Sequence, residues 1–447
     1  MPMLCRFLPL FFLCIVIHAP AVLRAGDTPP LPERWTVREA VRYALAHNPD
    51  LGAAVERIQA ADAEIKLARS SLYPQLGLSA EYNRTNNPMY SFGNILNQGM
   101  FTDTIDFNNP GTTDTLQGKA TVQYRLYNGG HDQAAIDAAG EHNKVSRHDH
   151  EALRNRLEYE VVRTFCTIAQ SEDTLRTRQS AVEAISASLH VARARFEQGS
   201  LLHEDVLNLE VQLAKAQERR VQAQHGLDLV QRAFLHLLGL SGKTVSIEPT
   251  TGLVQNIPAE RHFRNRPELA GIAALVNAQE ARIRQAKAGS LPTADAFGSY
   301  QADKGTELDE GSGNSWVAGV RLQYTLYDGQ QTEAAIAKAE AQWRAAKEQQ
   351  RKLEMDCSLE VEQAALALHQ EEERLKVTGS MVTAASESAR LARLRFKEGV
   401  LLASELIDTE NRLTDARLSH DQAIAARKIA IADLRRAIGL HQFDQEN

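Results

Sequence analysis

Leu116-Gln117-Gly118-Lys119-Ala120-Thr121-Val122-Gln123-Tyr124-Arg125-Leu126-Tyr127-Asn128-Gly129 decides the fold of this chain, because its side chains alternate and its end recurs. Leu116, Gly118, Ala120, Val122, Tyr124 and Leu126 fall on one face of an extended strand, and Gln117, Lys119, Thr121, Gln123 and Arg125 on the other. That period of two is the mark of a strand with one apolar face. At an offset of 200 residues, Gln323-Tyr324-Thr325-Leu326-Tyr327-Asp328-Gly329 repeats the end of the segment. The residues leading into it alternate as well, with Trp316, Ala318, Val320 and Leu322 set against Val317, Gly319 and Arg321.

Further out, the same offset of 200 aligns Arg193-Ala194-Arg195-Phe196 with Arg393-Leu394-Arg395-Phe396, Gly199 with Gly399, and Gly239-Leu240 with Gly439-Leu440. Upstream the offset is 218, matching Pro49-Asp50-Leu51 to Pro267-Glu268-Leu269, Pro74 to Pro292 and Tyr82 to Tyr300. The chain is therefore a tandem duplication. The 18-residue difference between the offsets falls between Tyr300 and Leu322 and predicts a length-tolerant surface loop there. Past Pro74, Leu76, Leu78, Ala80 and Tyr82 alternate too, so each repeat carries a hairpin, at about 75–127 and about 293–327. Strands of about 10 residues are long enough to cross a bilayer at a tilt. Alternation alone fits a half-buried sheet on a soluble core equally well.

Around the hairpins the period changes. Leu51, Val55, Ile58, Ile65 and Leu72 predict a helix over about 36–72 with a coiled-coil seam, and Leu269, Val276 and Ile283 repeat its seven-residue step. A proline-free stretch from Gly129 to Gln198 predicts a helix on the order of 100 Å long, broken at Gly199 and followed by a shorter one over about 203–238. The second repeat places its long helix at about 331–398. Helices of that length cannot bury their seams in an ordinary globule, so they must pack along one another as an elongated bundle or cylinder. Four membrane strands cannot close a barrel alone. Their edges must be paired, and the smallest barrels have about eight strands, so the chain would share a barrel with copies of itself.

Composition is compatible with this. The 447 residues are 43% hydrophobic and 24% charged, and the only long apolar run, Phe7 to Leu23, excludes a polytopic helical membrane protein. That run reads as a secretory signal, with Arg6, an apolar core to Ile17 and small residues at Ala19, Ala21 and Ala25. Cleavage is expected after Ala25 or Ala21, an uncleaved anchor being the alternative. Without residues 1–25 there are 48 basic and 57 acidic residues, a net charge of −9, which argues against a nucleic-acid or anionic-lipid binder. Cys166 and Cys357 then remain, at positions that do not correspond between repeats. They read as small packing residues, and their spacing does not say whether they pair. No phosphate loop or nucleophile elbow appears, and the histidines of His148-Asp149-His150 would face different directions on a helix. Neither an enzyme, a metal site nor a cofactor is expected.

The duplicated order of helix, hairpin, long helix, glycine turn and helix, with the Gln123–Gly130 junction and the Arg-Phe-x-x-Gly turns ending at Gly199 and Gly399, resembles the TolC-like outer membrane efflux protein family. The resemblance covers nearly the whole chain past the signal. It implies a mainly α fold with a transmembrane β part: a homotrimer whose 12-stranded β-barrel, four strands per chain, continues into a long periplasmic α-helical barrel. It also implies an outer membrane exit duct, for small molecules or type I protein secretion, that docks to a periplasmic adaptor and an inner-membrane pump. The chain would divide into a signal peptide (1–25), a first repeat (26–240), a linker (241–264), a second repeat (265–440) and a tail (441–447).

Carried over by position, Arg195, Phe196, Gly199, Arg395, Phe396 and Gly399 would form the periplasmic tip. Six and nine residues past Gly399 stand Glu405 and Asp408, where the family has acids ringing its entrance, and Asp205 is the matching acid after Gly199. Acids also suit any helix N-terminus. Leu401 stands where some members have a locking arginine. Closure would then rest on Leu201, Leu202, Leu401 and Leu402, or those leucines would face the adaptor instead. The competing reading is a periplasmic coiled-coil scaffold without a pore.

Overall fold

The computed structural model describes residues 32–242, 244–248, 257–258, 261–307 and 310–443. The expected signal peptide lies outside them, as do much of the expected linker and the end of the tail.

The helix expected over 36–72 is in fact two, α1 (Val37–His47) and α2 (Pro49–Ser70). Pro49 has no amide to donate and holds the preceding residue out of the helical region, so the helix must restart there. Asn48 accordingly sits at φ −69° and ψ 127°, its side chain accepting from the Asp50 amide at 2.8 Å and donating to the Leu237 carbonyl at 3.0 Å. A capping box between Thr36 and Glu39 opens α1.

The first repeat continues with β1 (Gln75–Thr85), α3 (Pro88–Asn97), β2 (Thr113–Tyr127), α4 (His131–Glu197) and α5 (His203–Leu237). The second has α6 (Pro267–Lys287), a short 3-10 turn (Ala288–Ser290), β3 (Thr293–Lys304), β4 (Ser312–Gln323), α7 (Gln331–Lys397) and α8 (Ala403–Ala437). Both long helices, α4 and α7, have 67 residues, and both returning helices, α5 and α8, have 35. At about 1.5 Å per residue the long helices reach about 100 Å. The cores are strung along this length rather than gathered in one place. One groups Trp35, Phe165 and Phe234 between α1, α4 and α5, and another packs Val361 and Leu368 of α7 on Ile431 and Leu434 of α8. Cys166 lies in the first of these as a free thiol that burial pushes up to about 11, and Cys357 is free and buried as well.

The sheet is antiparallel in the order β1-β2-β3-β4, so the β2–β3 pairing joins the two repeats. Register carries Leu78 opposite Ala120, Ala120 opposite Tyr300 and Tyr300 opposite Trp316, which aligns the apolar rows of all four strands on one continuous face. The other face is polar: Arg125 pairs with Asp295 at 2.9 Å, Gln117 donates to Asp303 at 2.9 Å, and Arg321 lies 5.2 Å from the Phe297 ring centre. No part of the described chain covers the apolar face, where Leu78 is 91% exposed and Trp316 and Leu322 are also exposed. Its burial must come from outside the described residues, which form no soluble core beneath it. β4 ends at Gln323, short of the expected Tyr327, because β3 begins only at Thr293 and leaves later residues nothing to pair with. β2 extends to Tyr127 through an irregularity after Arg125.

The extra residues of the first repeat, expected as a plain surface loop, include a built element. The Asn87 side chain accepts from the Met89 amide and Pro88 opens α3, a helix start legible as Asn-Pro. Phe92 packs against Phe101 at 5.9 Å and Phe107 at 4.6 Å, and Gln98 donates to the Asp114 carbonyl at 2.6 Å. Gly313 runs so close to the Asn97 carbonyl that no Cβ would fit.

Candidate functional site

At the end of the helices farthest from the sheet, each repeat turns on a glycine. Gly199 (φ 73°) and Gly399 (φ 84°) take the left-handed conformation that side chains resist. Around the first, the Gly199 amide donates to the Phe196 carbonyl at 2.8 Å and Ser200 to Arg195 at 2.9 Å. Around the second, Gly399 donates to Phe396 at 3.1 Å and Val400 to Arg395 at 3.0 Å. This double closure satisfies carbonyls the helix end would otherwise leave unpaired.

Arg195 ties the two turns together. Its guanidinium donates to the Phe396 carbonyl at 3.0 Å and to the Ser200 carbonyl at 3.1 Å, and lies 5.5 Å from the Phe396 ring centre. A cation at two helix C-termini is favourable, and the aromatic face adds to it. Phe396 is 2% exposed beneath this bridge, whereas Phe196 is 42% exposed and tilts against His203 at 5.1 Å. Under the turns Leu189, Ala192, Val206, Leu209 and Leu406 form an apolar core. Leu201 and Leu401 pack partly buried against it, while Leu202 and Leu402 are exposed. The four leucines therefore divide, two into the packing and two toward solvent. The structure brings Arg195, Phe396, Gly399, Leu201 and Leu401 together. Arg395 and Phe196 stand apart from that bridge and are exposed. Asp205 is half-buried in the first turn of α5, Glu405 is exposed in the first turn of α8, and Asp408 is exposed one turn on.

Sequence reasoning missed the ion pairs behind the turns. Arg193 meets Glu210 at 2.7 Å, and Arg393 grips Glu410 with both Nε and Nη2, the latter at 2.7 Å. The hydrogen bonds that Arg393 donates to Glu410 raise the arginine's pKa, outweighing the opposing effect of burial. The signal was available, since both repeats set an arginine and a glutamate at matching distances either side of the glycine.

The two glycines are not equivalent. A Cβ at Gly199 meets nothing within 4 Å, but at Gly399 it would sit 3.1 Å from Arg195 Nη2. Gly399→Val is therefore expected to destabilise the turn by about 1–3 kcal/mol of backbone strain and to dislodge Arg195 as well, while Gly199→Val carries the strain alone. Hydrogen exchange of the substituted turn in each variant, set against the same turn of the parent chain, checks the difference. Equal protection in the two variants would show that the bridge contributes nothing.

A sheet with an uncovered apolar face, open outer strand edges and helices that extend far beyond it define a membrane channel subunit. The chain belongs to the outer membrane efflux protein family, whose family model matches residues 40–240 and 260–440. It is 26% identical to outer membrane protein OprJ of Pseudomonas aeruginosa, a match covering 90% of this chain and 84% of that protein. It is also 26% identical to protein CyaE of Bordetella pertussis over 70% of this chain, which spans 64% of that relative. In fold it resembles the Campylobacter jejuni CmeC outer membrane channel, with a TM-score of 0.80 at 16% identity, covering 92% of this chain and 87% of the other. Its place is the outer membrane.

Proposed function

We propose that three copies of this chain form an exit duct through the outer membrane and the periplasm. The observation that carries this reading is the sheet. Among the described residues nothing covers its apolar face, and β1 and β4 are each paired on one side only. β1 of one copy beside β4 of the next closes a 12-stranded barrel, removes every open edge and turns the polar face into a lumen. The scaffold reading leaves the same face in water with nothing to bury it. The duct would pass small molecules or a secreted protein delivered by an inner-membrane pump, and a periplasmic adaptor would hold its tip at Arg195, Phe196, Gly199, Leu201, Arg395, Phe396 and Gly399. Asp205, Glu405 and Asp408 would ring the entrance above the Leu401 packing and favour cations there.

Purified protein in a planar bilayer tests this. It is expected to conduct with a preference for cations, and Glu405→Gln with Asp408→Asn should shift the reversal potential in a salt gradient toward zero. No conductance from either form would overturn the duct. Conductance with unchanged selectivity would remove the two acids from the entrance.

A further inference from the structure

The insert of the first repeat is folded onto one particular face of the sheet. α3 packs on β2 and β4 at the end of the strands away from the long helices. Asn94 donates to the Thr113 hydroxyl at 3.1 Å, and the Asn97 carbonyl lies over Gly313. Alternation puts Thr113 and Thr115 on the polar face with Gln117, and Gly313 stands opposite Asp303 of that same face. Beneath α3 the polar face is covered. Thr113, Thr115 and Asp303 are at most 3% exposed, while Thr121 and Gln123, farther along it, are open to solvent. The second repeat makes room for the insert of the first. Gly305 lies against Gln98, Gly311 against Met100 and Gly313 against Asn97, and none of the three could carry a Cβ without a collision.

We infer that α3 of each copy lines the outer mouth of the duct from within and narrows it to a collar that bulky polar solutes cannot pass. This rests on the three-copy barrel proposed above, in which the polar face is the lumen wall. Twelve strands about 4.8 Å apart and tilted about 40° close at about 24 Å across, backbone to backbone. A helix with its side chains is about 10 Å thick, so three of them standing on the inner wall take up most of that width and leave a small opening on the axis. The collar differs in chemistry from the wall that carries it. α3 has no charged residue, and Met89, Tyr90 and Leu96, on its side away from the strands, are each more than half exposed. In a single copy these side chains face water. Around a shared mouth they face one another, which accounts for an apolar patch on an element that otherwise packs through Ser91, Asn94 and Gln98.

A maleimide carried on a bulky polyethylene glycol, added outside intact cells, tests the collar, since the outer membrane itself excludes that reagent. Thr121→Cys sets a thiol on the lumen wall, six residues inward of Thr115 and so about 20 Å along the strand. The parent chain with its buried Cys166 and Cys357 serves as blank. With α3 in place the thiol is expected to take a small maleimide and to refuse the bulky one. Either of two further changes to that variant should admit the bulky reagent. One replaces residues 86–112 by Asn-Gly, the two-residue turn that joins paired strands. The other is Gly313→Val, which suits a strand but drives Asn97 off its seat. Light scattering of the purified protein reports the number of copies. Three copies that take the bulky reagent as fast with α3 as without it overturn the collar alone, and refusal by all three forms would show that something other than α3 narrows the mouth. Single copies overturn the collar and the three-copy reading together.

Discussion

Leu78→Arg is expected to keep the chain out of the outer membrane. Leu78 lies on the apolar face opposite Ala120, midway between the levels of Tyr124 and of Tyr82, which stands opposite Leu116. Those levels are about 26 Å apart along the strand, at about 3.3 Å per residue, and their tyrosines occupy the positions of aromatic girdles at the two interfaces. Leu78 is thus near the bilayer centre, where an arginine facing lipid costs about 2–4 kcal/mol, incurred once by every copy in a barrel. Ser79→Arg, one residue on, points to the polar face with Lys119 opposite and should be tolerated far better. Fractionation after export, together with the amount of heat-stable oligomer, checks this. Equal yields of the two variants in the outer membrane would show that the apolar face does not meet lipid.

Arg393→Ala is expected to loosen the tip by about 2–3 kcal/mol, toward the lower end of what breaking a buried pair costs because Arg393 itself is half-exposed. Its partner Glu410 is only 6% exposed and would be left charged without its arginine. Arg193→Ala occupies the matching position, but Glu210 is 41% exposed there, so water replaces the lost partner and the effect should stay below about 1 kcal/mol. Limited proteolysis of the α7–α8 turn, compared with the α4–α5 turn, reads the contrast. Arg393→Met with Glu410→Leu should recover much of the loss, since it leaves no orphaned charge. Similar sensitivity in the two single variants would mean that Glu410 is not held by this pair.

The architecture was legible because it rests on periodicity and repetition, which a sequence displays directly. The alternation from Leu116 to Leu126 became one apolar face, and the proline-free stretch ending at Gly199 became α4. Local interruptions were read less well. The chain between Leu51 and Leu72 has a continuous seam, which hid the restart at Pro49 even though the proline was in view. β4 was expected to mirror β2, but strand length depends on what lies opposite, and the end of β3 is not visible from β4 itself. At the tip, the glycines and the arginine-phenylalanine pairs stood out as repeats. That Arg195 reaches across to Phe396 while Arg395 does not reach Phe196 follows from which repeat lies beside which, and two identical motifs carry no record of that.

The equal lengths of α4 and α7 limit how this chain can change. Adding one residue to a single long helix would lower its turn by about 1.5 Å and rotate everything beyond it by about 100°, taking the seam off its neighbour and leaving one turn out of level with the other. Lengthening is tolerable only when it occurs in both repeats and both directions of each hairpin, in steps that restore the seam. A duplicated chain of this kind can therefore alter its reach only by paired insertions, which ties the evolution of its two halves to each other.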